Sequence, residues 1–361
     1  GASGIFVIAA GAVIYREVKL AGARRQYALA ATAMSGSLGV VLAPCLLIVV
    51  IAALNKQVTT QVLYGWGIWV FLLTSTLFFI VSQIMRKQKI QIESASIALP
   101  ASARALGPVS PYIVLTLVVV YFYKFVLDTK LDEFTAPMIL PVILLAIVIF
   151  DKLRRHEPRM PELPHETKHS ERRIGLEEAI RSATTDTIGH IGALILLMAL
   201  SVAVGGTIER SGIMEMVPHS FGNIWLALTL LMFLLVFVGM IMDPFGAVIL
   251  VTATVAPVAY NNGIHPVHFW MIVLTAFELG YLSPPVALNQ LLTRQVVGEK
   301  EMEDADEEVR HESFYYRYER WILPLIVMIP ALILVVYGGA FVAWDYKGTG
   351  FFDWLPHFRL P

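Results

Sequence analysis

Two stretches of this chain share one plan. Residues 1–47 and 242–288 align without a gap at an offset of 241 residues, but only 8 of the 47 positions are identical, so the argument rests on glycines and prolines. The offset pairs Gly22 with Gly263, Gly39 with Gly280, and Pro44 with Pro285. Corresponding apolar segments broken by Gly and Pro in two halves of a chain are typical of secondary transporters. The repeat therefore predicts a carrier.

The composition predicts a membrane protein. The chain is 57% hydrophobic and 15% charged, with a mean hydropathy of +0.68, which is too apolar for a soluble domain of this size. A net charge of -1 gives no indication of a nucleic-acid partner, and the single cysteine, Cys45, has no partner for an intrachain disulfide. No phosphate loop, Gly-x-Ser-x-Gly elbow or paired metal-ligand spacing is present, so the chain is not expected to be an enzyme.

Most apolar segments are long enough to cross a hydrocarbon core of about 30 Å. The predicted crossings are 28–54, 64–85, 112–127, 134–150, 188–208, 223–242, 268–292 and 321–343. Two arms, 5–15 and 247–260, look too short to cross and are bounded by Gly or Pro, which predicts re-entrant hairpins. The predicted order is a first transport element (1–62), scaffold helices (63–150), a cytoplasmic or interfacial linker (151–187), a scaffold helix with an outer loop (188–222), a second transport element (223–293), a charged cytoplasmic segment (294–320), and a terminal membrane helix with an external tail (321–361).

The basic loops predict opposite orientations for the two repeats. The loop after the first arm contains Arg16, Lys19, Arg24 and Arg25, which places it in the cytoplasm. The corresponding loop of the second copy, 261–266, has no Lys or Arg and falls outside when the crossings are counted. The predicted fold is an all-α polytopic membrane protein with inverted repeats, re-entrant helical hairpins and broken helices. Because the first residue is Gly rather than Met, we expect the natural protein to continue upstream.

The second copy resembles a signature of the large membrane subunit of tripartite ATP-independent periplasmic (TRAP) transporters. The segments that carry this resemblance are Gly239-Met-Ile-Met-Asp243-Pro-Phe, Ala256-Pro257-Val, Gly263-Ile-His-Pro266-Val-His268-Phe and Glu278-Leu-Gly280-Tyr-Leu-Ser283-Pro284-Pro285-Val-Ala-Leu-Asn289. The first copy is similar to the family's other signature, through Gly1-Ala2-Ser3, Gly11 and Ser35-Gly36-Ser37-Leu38-Gly39 before Pro44. This chain departs from the family's signatures at several positions. It has Ala2 where the family has Ser, Arg16 and Ala43 where it has Pro, Ser283 where it has Thr, and Ala287 where it has Gly.

This resemblance implies an elevator-type carrier in a bacterial or archaeal inner membrane, driven by a sodium gradient. It would import a small organic anion, a carboxylate, delivered by a secreted periplasmic substrate-binding protein. A small four-helix membrane subunit would be a partner besides membrane lipid, or would be fused in a divergent branch. Sodium would be the coupling ion, and no other cofactor is expected.

The broken helices indicate where ions and substrate bind. Proline frees backbone carbonyls, and a hard cation prefers oxygen ligands. The candidate sodium ligands are Ser3, Ser35, Ser37, Gly39, Asp243, Gly280, Ser283 and Asn289. The hairpin tips would direct helix N-termini at a substrate carboxylate. The candidate substrate-binding residues are Gly1, Ala2, Gly4, Pro44, Gly246, Pro284 and Pro285.

Several residues have simpler roles open to them. Asp243 can be a helix cap, Asn289 a packing amide, and Ser35 and Ser37 small residues that ease helix contact. Glu278 fits either ion or proton coupling or a structural hydrogen bond. At the level of function, the alternatives are a stand-alone sodium-coupled dicarboxylate elevator and a channel, because broken helices also line ion filters.

Overall fold

The computed structural model describes residues 3–43, 45–86, 94–129, 135–154 and 221–339, together with isolated positions between 177 and 212. The chain divides into a larger unit, Gly1–Arg86 with Leu197–Pro361, and a smaller unit, Lys87–Leu196. The predicted linker, much of the predicted crossing 188–208 and the external tail lie outside the described residues.

The described elements are helical. They are, in chain order, α1 (Ser3–Leu20), α2 (Arg25–Gly39), α3 (Leu46–Leu54), α4 (Thr60–Ile84), α5 (Ala95–Leu106), α6 (Ser110–Val126), α7 (Ala136–Arg154), α8 (Ile224–Ile241), α9 (Pro244–Asn261), α10 (Pro266–Leu282), α11 (Leu288–Val297), α12 (Glu299–Glu308), α13 (Phe314–Arg317) and α14 (Glu319–Ile333). A π-helical segment, Leu334–Gly338, continues α14. The predicted crossings at 64–85 and 223–242 correspond to α4 and α8, while 28–54 and 268–292 are each split into two helices.

The offset that aligns the two stretches of sequence also aligns their helix ends. Helices α1 and α9 are each 18 residues long, and their first and last residues are 241 positions apart. Helices α2 and α10 begin 241 positions apart as well. Between each pair the chain turns at a glycine with positive φ, 90° at Gly22 and 80° at Gly263, a conformation that residues with a Cβ rarely adopt.

The second arm is longer than its sequence predicts. Helix α9 extends from its cap at Asp243 to the turn before Gly263, and its length and hydropathy are sufficient to cross a membrane. The prediction that residues 247–260 are too short to cross was therefore wrong. The apolar run marks only the part of the helix between its polar ends. In the described residues, α4, α8 and α14 with its π-helical continuation also meet this length and hydropathy.

Helix α10 is the central element of the larger unit. Every residue from Val267 to Leu282 is buried, and the helix packs against α8, α14, α4 and α9. A helix that is apolar on all sides is stable only when it is surrounded. Its largest buried side chains include Trp270, Phe277 and Tyr281. Residues on α10 are consequently enclosed by other parts of the larger unit, which matters for the site at its C-terminal end.

The smaller unit contains α5, α6 and α7. Sequence analysis did not predict α5, which contains Pro100. Helix α6 packs against α7 through the edge-to-face rings of Tyr112 and Phe150, with centroids 6.0 Å apart. Much of its apolar surface is exposed, as in a helix that faces lipid: Ile113, Val114, Leu117, Val118, Phe122 and Phe125.

Candidate functional site

Two interruptions of helix define the candidate site. Helix α2 ends at Gly39 and α3 begins at Leu46, whereas α10 ends at Leu282 and α11 begins at Leu288. The second interruption contains Pro284 and Pro285, which lack the backbone N–H that a continuing helix would need. These breaks lie at the predicted positions: the helices before them end 243 residues apart, and the helices after them begin 242 residues apart. They leave backbone groups that helix bonding does not use.

A cluster of hydroxyl and amide groups joins the two repeats. The Asn289 amide donates to Ser37 Oγ at 2.9 Å and to the Ala33 carbonyl at 3.3 Å. Ser3 Oγ donates to Asn289 Oδ1 at 3.4 Å. All three side chains are buried, with at most 5% exposure. The structure thus brings together three of the predicted sodium ligands, one at the start of α1, one on α2 and one on α11.

Glu278 lies at the same cluster. Its carboxyl group lies close to the Ser37 and Ser3 hydroxyls, and its side chain is only 2% exposed. Its second oxygen, Oε2, has no hydrogen-bond partner among the described residues. A buried carboxylate with an unpaired oxygen is costly, so this geometry indicates that another group completes it.

Sequence analysis missed Tyr281 as a site residue. It follows Glu278 by three positions on α10, so the two side chains share a helix face. The Tyr281 hydroxyl is fully buried and has no hydrogen-bond partner in the described part of the chain. The spacing from Glu278 was a usable signal, but a tyrosine in an apolar helix is ordinarily a packing residue.

Close backbone contacts surround this cluster. A Cβ added at Gly280 would lie 2.5 Å from the Gly239 carbonyl carbon, and one at Gly36 would collide with the Ser3 carbonyl oxygen. A Cβ at Gly4 would lie 2.7 Å from Leu292 Cδ1. These glycines allow α1 to approach α2 and α8 to approach α10 with backbones in contact. For Gly4, a predicted substrate-binding residue, the observed contact is with α11.

Asp243 caps α9. Its carboxylate accepts hydrogen bonds from the backbone N–H of Phe245 at 3.0 Å and of Gly246 at 3.4 Å. An acid at a helix N-terminus also interacts favourably with the helix dipole. The capping role considered from sequence is therefore present, and it uses the Gly246 N–H that we expected to face a substrate.

Other predicted site residues do not join the cluster. Ser35 Oγ donates to the Thr32 carbonyl at 2.7 Å, and Ser283 Oγ donates to the Leu279 carbonyl at 2.6 Å, so both hydroxyls bond to their own helix. A Cβ added at Gly39 would meet no other atom within 4 Å. Pro284 and Pro285 are exposed. The remaining predicted residues, Gly1, Ala2 and Pro44, lie outside the described residues.

The donor set of the cluster is made of oxygen. It comprises the hydroxyls of Ser3 and Ser37, the Asn289 amide oxygen, the Ala33 carbonyl and the Glu278 carboxyl group. Such ligands suit a hard cation, whereas transition metals prefer nitrogen and sulfur. Among the described residues, no group of three or more His, Cys, Asp or Glu side chains could hold a metal ion.

Comparison with known proteins gives a family for this architecture. Residues 2–340 match the family described as "Tripartite ATP-independent periplasmic transporter, DctM component". Similar proteins include the isethionate TRAP transporter permease protein DctMQ of Oleidesulfovibrio alaskensis, 25% identical over 158 residues, which are 42% of this chain and 22% of the relative. The sialic acid TRAP transporter large permease protein SiaM of Vibrio cholerae is 30% identical over 149 residues, 40% of this chain and 32% of the relative. The C4-dicarboxylate TRAP transporter large permease protein DctM of Pseudomonas aeruginosa is 31% identical over 74 residues, 20% of this chain and 17% of the relative. The alignments therefore span less than a third of each of these relatives.

Proposed function

Because this chain belongs to the DctM component family of tripartite ATP-independent periplasmic transporters, we propose that it is the large membrane subunit of a sodium-driven importer of a small organic anion. In this role it is a transport protein and not an enzyme. The anion would be delivered by a periplasmic substrate-binding protein, and a small membrane subunit would complete the complex in the bacterial inner membrane.

The observation that carries the sodium proposal is the unpaired Oε2 of Glu278 beside three buried polar side chains. Because the side chain of Glu278 is only 2% exposed, a negative charge there needs a positive counterpart. A sodium ion bound by Glu278, Ser37 and Asn289 would supply it and would use oxygen ligands throughout. Tyr281 would add a hydroxyl on the adjoining side.

The position of the cluster supports a site between two related halves. Ser37 and Glu278 are 241 residues apart, so they are equivalent positions of the repeat, yet their side chains lie close to each other. Equivalent residues meet only close to the axis that relates two halves. Transporters built from inverted repeats bind substrate and ions at that interface. The opposite orientation of the halves, predicted from charge, belongs to the same proposal.

The substrate proposal rests on chemistry shared by the relatives. Their names refer to isethionate, a C4-dicarboxylate and sialic acid, all of which are organic anions. In this chain, the Asp243 carboxylate occupies the N-terminus of α9, whereas the Pro284-Pro285 segment that follows the helix of Glu278 offers exposed surface. We place the anion there, with specificity set largely by the binding protein.

Transport would follow an elevator mechanism, in which α1, α2, α3, α8, α9, α10 and α11 move together against a scaffold. Close backbone packing at Gly36 and Gly280 supports a common rigid movement, because the helices cannot slide past each other there. Paired cysteines that lock a hairpin to the scaffold should abolish uptake. Unchanged uptake after complete cross-linking would rule the mechanism out.

The decisive experiment measures organic-anion uptake into proteoliposomes containing the full-length protein and its small subunit. Uptake that requires both an inward sodium gradient and the binding protein supports the proposal. Gradient-driven uptake without the binding protein would indicate a stand-alone elevator, and a leak insensitive to both would indicate a channel.

Two asparagine variants make this experiment specific for the site. Asn289→Ala should abolish sodium stimulation, because it removes the amide that joins Ser3 to Ser37. Asn55→Ala is the matched control, since Asn55 is also a buried amide but bonds to Ile51 and Thr252 away from the cluster. Equal effects of the two variants on sodium stimulation would refute the assigned site.

A further inference from the structure

The C-terminal end of α1 and the N-terminal end of α2, beside the loop predicted to be cytoplasmic, are bound to the acidic helix α12. The Tyr15 hydroxyl donates to Glu301 Oε2 at 2.7 Å, and Lys19 Nζ lies 2.8 Å from the same oxygen. Arg25 Nε lies 3.4 Å from Glu301, and its Nη1 lies 3.0 Å from Glu308. These contacts join residues of the first repeat to a segment almost 300 residues away. We refer to Tyr15, Lys19, Arg25 and Glu301 as the cytoplasmic bridge.

The bridge is partly buried. Tyr15 is 1% exposed, and the Glu301 side chain is 12% exposed. Tyr15 also packs with Leu29 and Ala305 in a small apolar cluster separate from the main core. Ion pairs on an open surface contribute little, but a charge bonded in a shielded place loses much more when its partner is removed. The bridge therefore fixes the position of α1 relative to α12.

Helix α1 runs alongside α11 and α12 in the same direction. Contacts occur in order along both segments: Ser3 with Asn289, Gly4 with Leu292, Gly11 with Val296, and Tyr15 with Glu301. The bridge is at one end of this contact line, and the proposed ion site is at the other. Twelve residues of helix separate the two ends, about 18 Å at 1.5 Å per residue.

The bridge belongs to one repeat only. The positions equivalent to Tyr15 and Lys19 are Ala256 and Tyr260, and the loop that follows them, 261–266, contains no Lys or Arg. The bridge is thus not a general consequence of the repeated fold. The first repeat is therefore bound at this end by the cytoplasmic bridge, whereas the second repeat has no equivalent contacts among the described residues. The helix that the bridge holds is α1, which contains Ser3.

We propose that Tyr15, Lys19 and Glu301 are positioning residues that hold Ser3 against Asn289 and thereby set the affinity of the site for its coupling cation. This inference rests on the proposed function. Weakening the bridge lets α1 move along or away from α11, which separates the Ser3 hydroxyl from the amide it contacts. The cation then binds less tightly, while the transport step itself is little changed.

The test uses Tyr15→Phe and Glu301→Gln in the full-length protein with its small subunit. Tyr15→Phe removes a single hydroxyl, so it remains informative if Glu301→Gln folds poorly. Glu303→Gln is the matched control, because Glu303 lies on the same helix, is exposed, and forms no ion pair with the residues that the structure describes. Two quantities are measured: the sodium dependence of uptake, and hydrogen exchange of residues 3–20 in lipid nanodiscs.

We expect both bridge variants to raise the sodium concentration for half-maximal uptake about fivefold, the lower range of allosteric coupling. The maximal rate should change less than twofold, and exchange in residues 3–20 should be faster. Glu303→Gln should leave all three quantities unchanged. Unaltered exchange in both variants, or faster exchange without a change in sodium dependence, would overturn the inference. Uptake by the parent protein that ignores sodium would instead refute the proposed function.

Discussion

Replacement of Gly280 by alanine should separate α8 from α10. The added Cβ would lie 2.5 Å from the Gly239 carbonyl carbon, 2.7 Å from Met240 N and 2.9 Å from Gly239 Cα. Carbon atoms pack best at about 3.5–4.0 Å, so the helices must move apart by roughly 1 Å or more. All three obstructing atoms are backbone, and no change of rotamer can relieve the contact. We therefore expect a loss of about 3 kcal/mol, the upper end for overpacking.

The loss can be measured as the free energy of unfolding in a denaturing-detergent titration. Gly65→Ala in α4 is the matched control, because its Cβ would meet nothing within 4 Å. Alanine has a higher helix propensity than glycine, so the free energy of unfolding of this control should be unchanged or higher by up to about 1 kcal/mol. Gly280→Ala retains the carbonyl oxygen of residue 280. If Gly280 acted only as a sodium ligand, its variant would be as stable as the parent, and that result would refute the packing argument.

Three further predictions concern single groups. Ala287 has φ 47°, so Ala287→Gly should raise the free energy of unfolding by about 1 kcal/mol in the same titration, and a loss would show that its side chain matters more than its backbone. Asp243→Asn should keep the cap of α9 and the stability of the fold but weaken the activation of uptake by sodium. Asp243→Ala should in addition lower the free energy of unfolding by about 1 kcal/mol, because the cap is lost. An unchanged sodium activation curve for Asp243→Asn would leave only the capping role. Burial acts to raise the pKa of Glu301, but hydrogen bonds from Lys19 and Tyr15 outweigh it and hold the pKa below 4.5. The ionised carboxylate of Glu301 therefore stabilises the fold, so Glu301→Gln should lower the free energy of unfolding by about 1–2 kcal/mol at pH 7. This difference should vanish as the pH falls through the lowered pKa of Glu301. A difference that does not change with pH would contradict this prediction.

Backbone features of this protein could be predicted from sequence with good accuracy. Gly22, Gly263 and the two helix interruptions lie where the repeat placed them, because glycine and proline restrict or permit backbone conformations directly. The orientation of hydroxyl groups could not be predicted in this way. Ser35 and Ser37 are two positions apart on one helix, so their side chains point in different directions. The sequence does not reveal which of the two hydroxyl groups faces Asn289.

Tyr281 and the cytoplasmic bridge were missed for a related reason. Each depends on which distant segment is packed against a helix. Glu301 meets Tyr15 across 286 positions of sequence, and its charge alone indicates only a solvated helix. Periodicity identifies the face of a helix that is buried, but the partner of that face follows from tertiary packing.

The two repeats contribute groups of different charge to the cluster, and this difference bears on the charge of the cation that the proposed site would bind. Ser37 of the first repeat occupies the position that Glu278 occupies in the second, so one member of the pair is neutral and the other is acidic. Ser3 and Asn289 add further neutral oxygens. A buried cluster with one carboxylate is neutralised by one monovalent cation, whereas a divalent cation would leave a net positive charge in a poorly solvated place. Two acids at equivalent positions would suit a divalent ion. Because Ser37 is neutral at the position equivalent to Glu278, the charge of the proposed site suits sodium better than calcium or magnesium.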